Sequence, residues 1–317
     1  MSGCPELRSV HPSAKCLALV INSKAGALLA EDDGGGSLED LLRAQADSLE
    51  VIPETVGTLP ERVAEAVATG ADCVVVAGGD GTVACAAQVL VGTDTALGLI
   101  PCGTMNLLAR DLGLDPADRG ACVRVLGEGR ARAIDAGQVV GAGGAAHLFL
   151  CASMLGTPAR LSRHREAGRE RGNGIRAWAR FGWAAMRAMA ANRSTRLVLR
   201  YDGRVRHVRT PSLTVMVNKL DGEAGRLFGR ARLDGGTLAV YLVPRANAFT
   251  QLLLLLRTAW SGNLAAPQIE MFETEALEID AEQAALHVLV DGERQLLAPR
   301  LRYTIRPAAL RVIAPAA

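Results

Sequence analysis

The sequence predicts two folded parts in one chain: a doubly wound α/β domain built on a parallel sheet over residues 1–135, and an antiparallel β-sandwich over residues 136–307. Three observations predict this. A chain of 317 residues exceeds the usual size of a single domain. Its first part alternates short apolar runs with capped helical patterns. From about residue 130 that rhythm gives way to short strands joined by glycine turns.

The elements of the first part follow in order. Residues 16–21 are an apolar run ending at Asn22 and read as a strand. A helix starts at Ser37, with Asp40 three positions on. Thr58 followed by Glu61 is a capping box, Pro60 sits in the first turn and Gly70 closes that helix. Residues 74–77 are continuously apolar, as expected of a parallel strand buried on both faces. A second helical pattern runs from Gly81 to about Leu90. Strand 96–100 follows, and then the punctuated segment Pro101-Cys102-Gly103-Thr104-Met105-Asn106. Ligands of doubly wound sheets sit beyond the carboxyl ends of the strands, and both glycine-rich segments fall on that edge.

In the second part, Gly141 to Gly144 separates strand-like residues 138–140 from 146–152, and Asp202-Gly203 separates 197–201 from 204–209. Further runs occur at 213–217, 237–243, 286–290 and 301–306, with helical insertions expected at about 172–191 and 248–261.

Composition removes several function classes. A formal net charge of +2, from 35 Lys and Arg against 33 Asp and Glu, is far from that of a protein that binds nucleic acid through its whole surface. Seven cysteines, odd in number and never spaced C-x-x-C, argue against a disulfide framework, and five histidines without ligand spacing argue against zinc. A reducing cytoplasm fits best. Residues 1–15 lack the apolar stretch of a signal peptide, and the leucine run 252–256 is too short to span a bilayer. Ser153 and Ser162 lack the context of a hydrolase nucleophile.

The densest chemistry lies in Gly78-Gly79-Asp80-Gly81-Thr82, between a buried strand and a helix. Glycines let a backbone approach a polyphosphate closely, and a helix start offers unpaired N–H groups and partial positive charge. Asp80 is then placed to hold Mg²⁺ or its waters. A tight turn with Asp80 as a helix cap is the competing reading of this segment alone. The segment is neither a Walker A loop nor a G-x-G-x-x-G fingerprint.

GGDGT, followed by LGLIPCGTMNLLARDLGL over residues 97–114, resembles the catalytic-domain signature of the diacylglycerol kinase, sphingosine kinase and ceramide kinase superfamily. Other segments extend the resemblance. Asn22-Ser23-Lys24-Ala25-Gly26 resembles that family's first nucleotide loop, Thr55 lies where it has a nucleotide-contacting threonine, and Ile134-Asp135-Ala136-Gly137 resembles its Ile-Asp-x-Gly strand. Asp291-Gly292-Glu293 resembles the segment supplying its catalytic base, although Asp-Gly alone is an ordinary hairpin signal. The resemblance implies a nucleotide domain like those of phosphofructokinases and NAD kinases, followed by a sandwich that takes the lipid, with the tail, residues 308–317, packing back onto the first domain. Departures are Leu107 for a frequent Asp, Ala84 for a frequent Asn, and Gly235-Gly236 where an Asp-Gly carries a structural Mg²⁺. Asn218 fits a family Asn, with the glycines usual after it reduced to Gly222 and Gly225.

The activity implied is ATP-dependent phosphorylation of a membrane-lipid hydroxyl, with Mg²⁺. In that reading Asn22, Ser23, Gly26, Thr55, Gly78, Gly79, Asp80, Gly81, Thr82, Gly103, Thr104 and Asn106 bind the nucleotide. Asp80 and Asp135 organise the metal, Glu293 takes the hydroxyl proton, and Asp291 positions it or shares in metal binding. The acceptor comes from a membrane, and residues 160–183 contain seven arginines with Trp178, Phe181 and Trp183, a composition suited to an anionic lipid surface. A solvated basic helix is the plainer reading of that segment. The expected location is the cytoplasm, with transient contact at the membrane. A kinase of a soluble acceptor, related to NAD kinases, and an inactive nucleotide-binding regulator are the alternatives.

Overall fold

The computed structural model describes residues 16–22, 37–157, 159, 194–220, 229–230, 232–243 and 269–316. The chain divides into two compact units, one reaching to Ile134 and resuming at Ala309, the other spanning Asp135–Ala308. The expected helical insertions and the basic segment 160–183 lie outside the described residues, as do Ser23, Gly26, Gly222 and Gly225.

In the first unit, strands β1 (Cys16–Ile21), β2 (Ser48–Ile52), β3 (Cys73–Gly78) and β4 (Ala96–Pro101) form a parallel sheet in the order β2-β1-β3-β4. All six residues of β3 are buried, which is why its sequence carries no polar alternation. β2 is the strand that the apolar pattern did not announce: it sits at an edge and alternates exposed Ser48 and Glu50 with more buried neighbours. The described α-helices of this unit are α1 (Leu38–Arg43), α2 (Leu59–Ala68), α3 (Asp80–Leu90), α4 (Leu107–Asp111) and α5 (Arg119–Glu128). Ser37 caps α1 by accepting from the Asp40 N–H. At α2 the Glu61 carboxylate accepts from the Thr58 backbone N–H (2.7 Å) and hydroxyl (2.8 Å), which holds its carboxyl below the usual range.

The described elements of the second unit are strands. One antiparallel sheet has the order β12-β11-β10-β7-β14-β15, made by β7 (Ala152–Gly156), β10 (Ser212–Val217), β11 (Leu238–Val243), β12 (Glu270–Thr274), β14 (Leu286–Val290) and β15 (Glu293–Leu297). Facing it are β8 (Thr195–Tyr201), β9 (Arg204–Thr210), β13 (Ala276–Ala281) and the first part of β16 (Leu301–Ala314), with β5 (Arg130–Val140) pairing β6 (Ala146–Phe149). The sandwich core holds Val215, Leu199, Ile279, Val288 and Tyr303, all fully buried or nearly so. The Tyr303 ring meets Phe149 edge to face at 6.1 Å, and its hydroxyl pairs with that of fully buried Ser153 at 3.0 Å. Ser153 is therefore a core residue with a satisfied hydroxyl, far from the exposed nucleophile a hydrolase needs. The end of β16 belongs to the first unit, where Val312 pairs Leu97 of β4 in parallel.

Among the described residues no helix is long and apolar enough to cross a membrane. Six described cysteines are free thiols, and burial pushes the Cys73 thiol up to about 12 and that of Cys122 up to about 11, so both stay protonated and inert.

Candidate functional site

Parallel pairing decides which loops meet in the first unit. The register sets Ile21 beside Ala77 and Gly78 beside Pro101, so the chain leaves β1, β3 and β4 on one edge of the sheet. Asn22 continues the ladder by donating its N–H to the Ala77 carbonyl (3.1 Å), and its side-chain amide donates to the Thr82 hydroxyl (2.8 Å). Thr82 is buried, and a methyl at Gly78 would collide with it, so this glycine is needed for packing beneath the turn.

The two glycine-rich loops touch backbone to backbone. A Cβ built on Gly103 would lie 2.6 Å from Gly79 Cα and 2.8 Å from Asn106 Oδ1. Asn106, in the left-handed region at φ 48°, folds its side chain back: Oδ1 accepts from the Gly103 N–H (2.9 Å) and Nδ2 donates to the Gly103 carbonyl (2.7 Å). Its amide shapes the loop. Asp80 ties the loops together, each carboxylate oxygen accepting one backbone N–H at the start of α4, from Asn106 (2.9 Å) and Leu107 (2.6 Å). Asp80 is a cap after all, but of a helix that begins 27 residues later and not of its own. Since a carboxylate oxygen has two acceptor positions, a cation or its waters can still be held on the free side.

Gly103→Ala tests the close approach directly. Gly79 Cα is backbone and Asn106 Oδ1 is tied to the Gly103 N–H, so the loops must separate. The expected cost is about 1–3 kcal/mol of stability, and nucleotide affinity should fall about tenfold. Gly143→Ala, at a position with nothing within 4 Å, is the neutral control. Urea unfolding and nucleotide titration read both effects, and equal behaviour of the two variants would remove the steric argument.

The edge fits a nucleotide polyphosphate. α3 runs 11 residues from Asp80, long enough to present a dipole, and its first turn, with Gly81 exposed, offers N–H groups that the helix itself cannot satisfy. Mg²⁺ fits in a restricted way. Among the described residues no group of three or more His, Cys, Asp or Glu side chains could hold a metal ion. One carboxylate with phosphates and water is the usual Mg²⁺ environment, and Asp80 can supply that carboxylate. Thr55 lies in a 3-10 turn (Glu54–Val56) and Thr104 in its loop, both exposed. Arg62 on α2, which the sequence reading did not single out, is buried. It donates to the Ile21 carbonyl (2.7 Å) beside Asn22 and reaches Glu54 at 3.5 Å.

The second unit holds the other acidic residues. Asp135 is buried, its carboxylate accepting from the backbone N–H groups of Ala308 (2.9 Å) and Gly236 (2.7 Å) and from Asn218 Nδ2 (3.1 Å). In this arrangement it knots three segments of the sandwich. A Cβ on Gly235 would meet Asn218 Oδ1 at 2.7 Å, so the backbone there is packed against that asparagine, where the resembling family carries a carboxylate.

Asp291 and Gly292 form the two-residue turn between β14 and β15, at φ 44° and 89°, the pair of positive values that a tight hairpin requires. Glu293 follows as the first residue of β15 and is exposed. The Asp291 side chain turns inward and accepts three consecutive backbone N–H groups, from Leu150 (2.6 Å), Cys151 (2.9 Å) and Ala152 (2.9 Å), while its own N–H donates to the Ala152 carbonyl (2.9 Å). Burial pushes the Asp291 carboxyl above the ordinary aspartate range, with these donors and the Arg230 guanidinium pulling the other way. Its visible task is to anchor the turn that presents Glu293.

A glycine-rich edge that fits a polyphosphate on a doubly wound sheet, joined in one chain to a sandwich whose anchored hairpin exposes the Glu293 carboxylate, is compatible with a phosphotransferase. Comparison with known proteins gives the class its family. Residues 16–139 match the diacylglycerol kinase catalytic domain, and residues 154–314 match the YegS C-terminal NAD kinase beta sandwich-like domain. A diacylglycerol kinase of Mycobacterium tuberculosis is 30% identical, over 96% of this chain and 96% of its own length. A Pseudomonas aeruginosa protein carrying the name YegS-like lipid kinase is 28% identical over 80% of each. The fold is similar to that of a crystallised diacylglycerol kinase from Bacillus anthracis, at a TM-score of 0.66 and 17% identity over 95% of this chain and 97% of that one. The chain belongs to the diacylglycerol kinase catalytic-domain family, and is a kinase with an alcohol as acceptor.

Proposed function

We propose that this kinase transfers the γ-phosphoryl group of ATP, as its Mg²⁺ complex, to a hydroxyl of a membrane lipid, with diacylglycerol the first acceptor to test. The observation that carries the reading is the union of Gly79, Asp80 and Gly103 into one loop pair at the sheet edge, in a chain that also seats Glu293 on an anchored hairpin. The end-to-end relative named a diacylglycerol kinase supports that choice of acceptor.

When bound, Mg²⁺·ATP supplies the phosphoryl group together with the charge neutralisation that its transfer needs. Backbone N–H groups at the start of α3 would receive the phosphates, with Asn22 and Thr82 shaping the floor beneath them. Asp80 would hold the cation through water or directly. Thr55 and Thr104, both exposed, would contact the nucleotide. Glu293, exposed and unencumbered by the anchoring bonds that occupy Asp291, would take the proton of the acceptor hydroxyl. Contact with the membrane surface rests on the arginine and tryptophan composition of residues 160–183.

Radiolabelled ATP offered with vesicles containing diacylglycerol, ceramide, a sphingoid base or phosphatidylglycerol, resolved by chromatography, tests this reading. The expected product is phosphatidic acid, formed faster on vesicles rich in anionic lipid and more slowly as salt rises. Label in a soluble acceptor, or in none, would refute lipid as the substrate. Label in another lipid would correct the acceptor alone.

A further inference from the structure

The buried polar groups of the described residues include two arginines, Arg62 and Arg230, and the second lies against the segment that anchors the hairpin of Glu293. Arg230 is 2% exposed. One terminal nitrogen donates to the Leu150 carbonyl at 2.6 Å and to the Val217 carbonyl at 3.1 Å, and the other lies 3.6 Å from Cys151 Sγ. The Leu150 carbonyl and the Cys151 N–H are the two ends of one peptide group, and that N–H donates to Asp291 at 2.9 Å. A guanidinium thus grips the oxygen end of the peptide while a carboxylate grips its nitrogen end. Each charge strengthens the other's hydrogen bond, because polarising a peptide from one side improves it as partner on the other.

A buried cation is costly unless compensated, and a neutral donor would satisfy the two carbonyls at lower desolvation cost. What the charge adds is a field on Asp291, which stays anionic more readily beside it. An ionised Asp291 accepts three N–H bonds with its full charge behind them, whereas a neutral carboxyl would be a weaker acceptor for all three. The turn that fixes the direction of Glu293 would then loosen.

We propose that Arg230 is a positioning residue for catalysis, acting through the Leu150–Cys151 peptide on Asp291 and so on the direction of Glu293. This inference rests on Glu293 being the base. Because Arg230 acts through Asp291 on Glu293, its effect falls on turnover and not on nucleotide binding.

A mutant cycle on the full-length protein tests it. Arg230→Gln keeps amide donors and removes the charge; its kcat falls about tenfold or more, with KM for ATP unchanged, and Arg230→Lys recovers most of the loss. Acting through Asp291 means that Asp291→Asn and the double variant lose turnover equally, the second change adding nothing. Wild-type kcat in Arg230→Gln, a raised KM for ATP at unchanged kcat, or additive losses in the double variant would each overturn the proposal. Should Arg230→Gln fail to fold, comparison of Asp291→Asn with Arg230→Gln/Asp291→Asn, in which neither charge is left unpaired, decides by the same criterion. Glu293→Gln separates the two levels: wild-type turnover there removes the base assignment itself, whereas an inactive Glu293→Gln beside a fully active Arg230→Gln sinks only the role of Arg230.

Discussion

Glu293→Gln lowers kcat by about a thousandfold and leaves ATP affinity unchanged. General-base removal costs about 10²–10⁴ in rate, and the substitution is isosteric at an exposed position, so the loss contains little misfolding. The structure supports this separation. Glu293 pairs with Val290 through backbone alone, and the Asp291-Gly292 turn holds its shape through the bonds from Asp291 to Leu150, Cys151 and Ala152, none of which involves the Glu293 side chain. Steady-state kinetics with lipid vesicles, beside a nucleotide titration without lipid, reads the two quantities independently. A variant with wild-type kcat would end the base assignment; one that also failed to bind ATP would mean that the carboxylate serves the nucleotide instead.

Asp80→Asn is expected to cost more broadly. Asn offers one acceptor oxygen where Asp80 uses two, so either the Asn106 or the Leu107 N–H at the start of α4 loses its partner. That loss costs about 1–2 kcal/mol of stability, as with other helix caps. The charge also disappears from the place where a cation would sit. Turnover should fall by about a hundredfold, and the Mg²⁺ concentration for half-maximal activity should rise. Magnesium titrations and thermal melts separate the two contributions: a melting shift without a change in Mg²⁺ requirement would leave Asp80 as a cap and nothing more.

The elements legible in the sequence are those whose causes are local. The Thr58 and Glu61 box, the Ser37 cap and the all-apolar β3 depend on residues within a turn or a strand length, and each appears where the pattern places it. β2, β12, β13 and β15 were not foreseen, because edge and paired antiparallel strands with alternating charges look like loops until a partner strand is known. The glycine corners were legible as backbone geometry for a different reason: a Gly-Gly-Asp-Gly-Thr segment is short enough for its backbone freedom to be written in composition. Arg230 and Arg62 were invisible, since an arginine in sequence is a surface residue until the fold buries it.

What the amino-acid sequence determined by itself was the pair of architectures, the glycine corners and the acidic hairpin, all set by short-range sterics, periodicity and capping. Tertiary structure alone decided what each carboxylate does. Asp80 finds its two donors 26 and 27 positions downstream, and Asp291 finds its three about 140 positions upstream. No local rule reaches that far: which N–H groups stand opposite a side chain depends on strand order and register, and these are settled only when the sheets assemble.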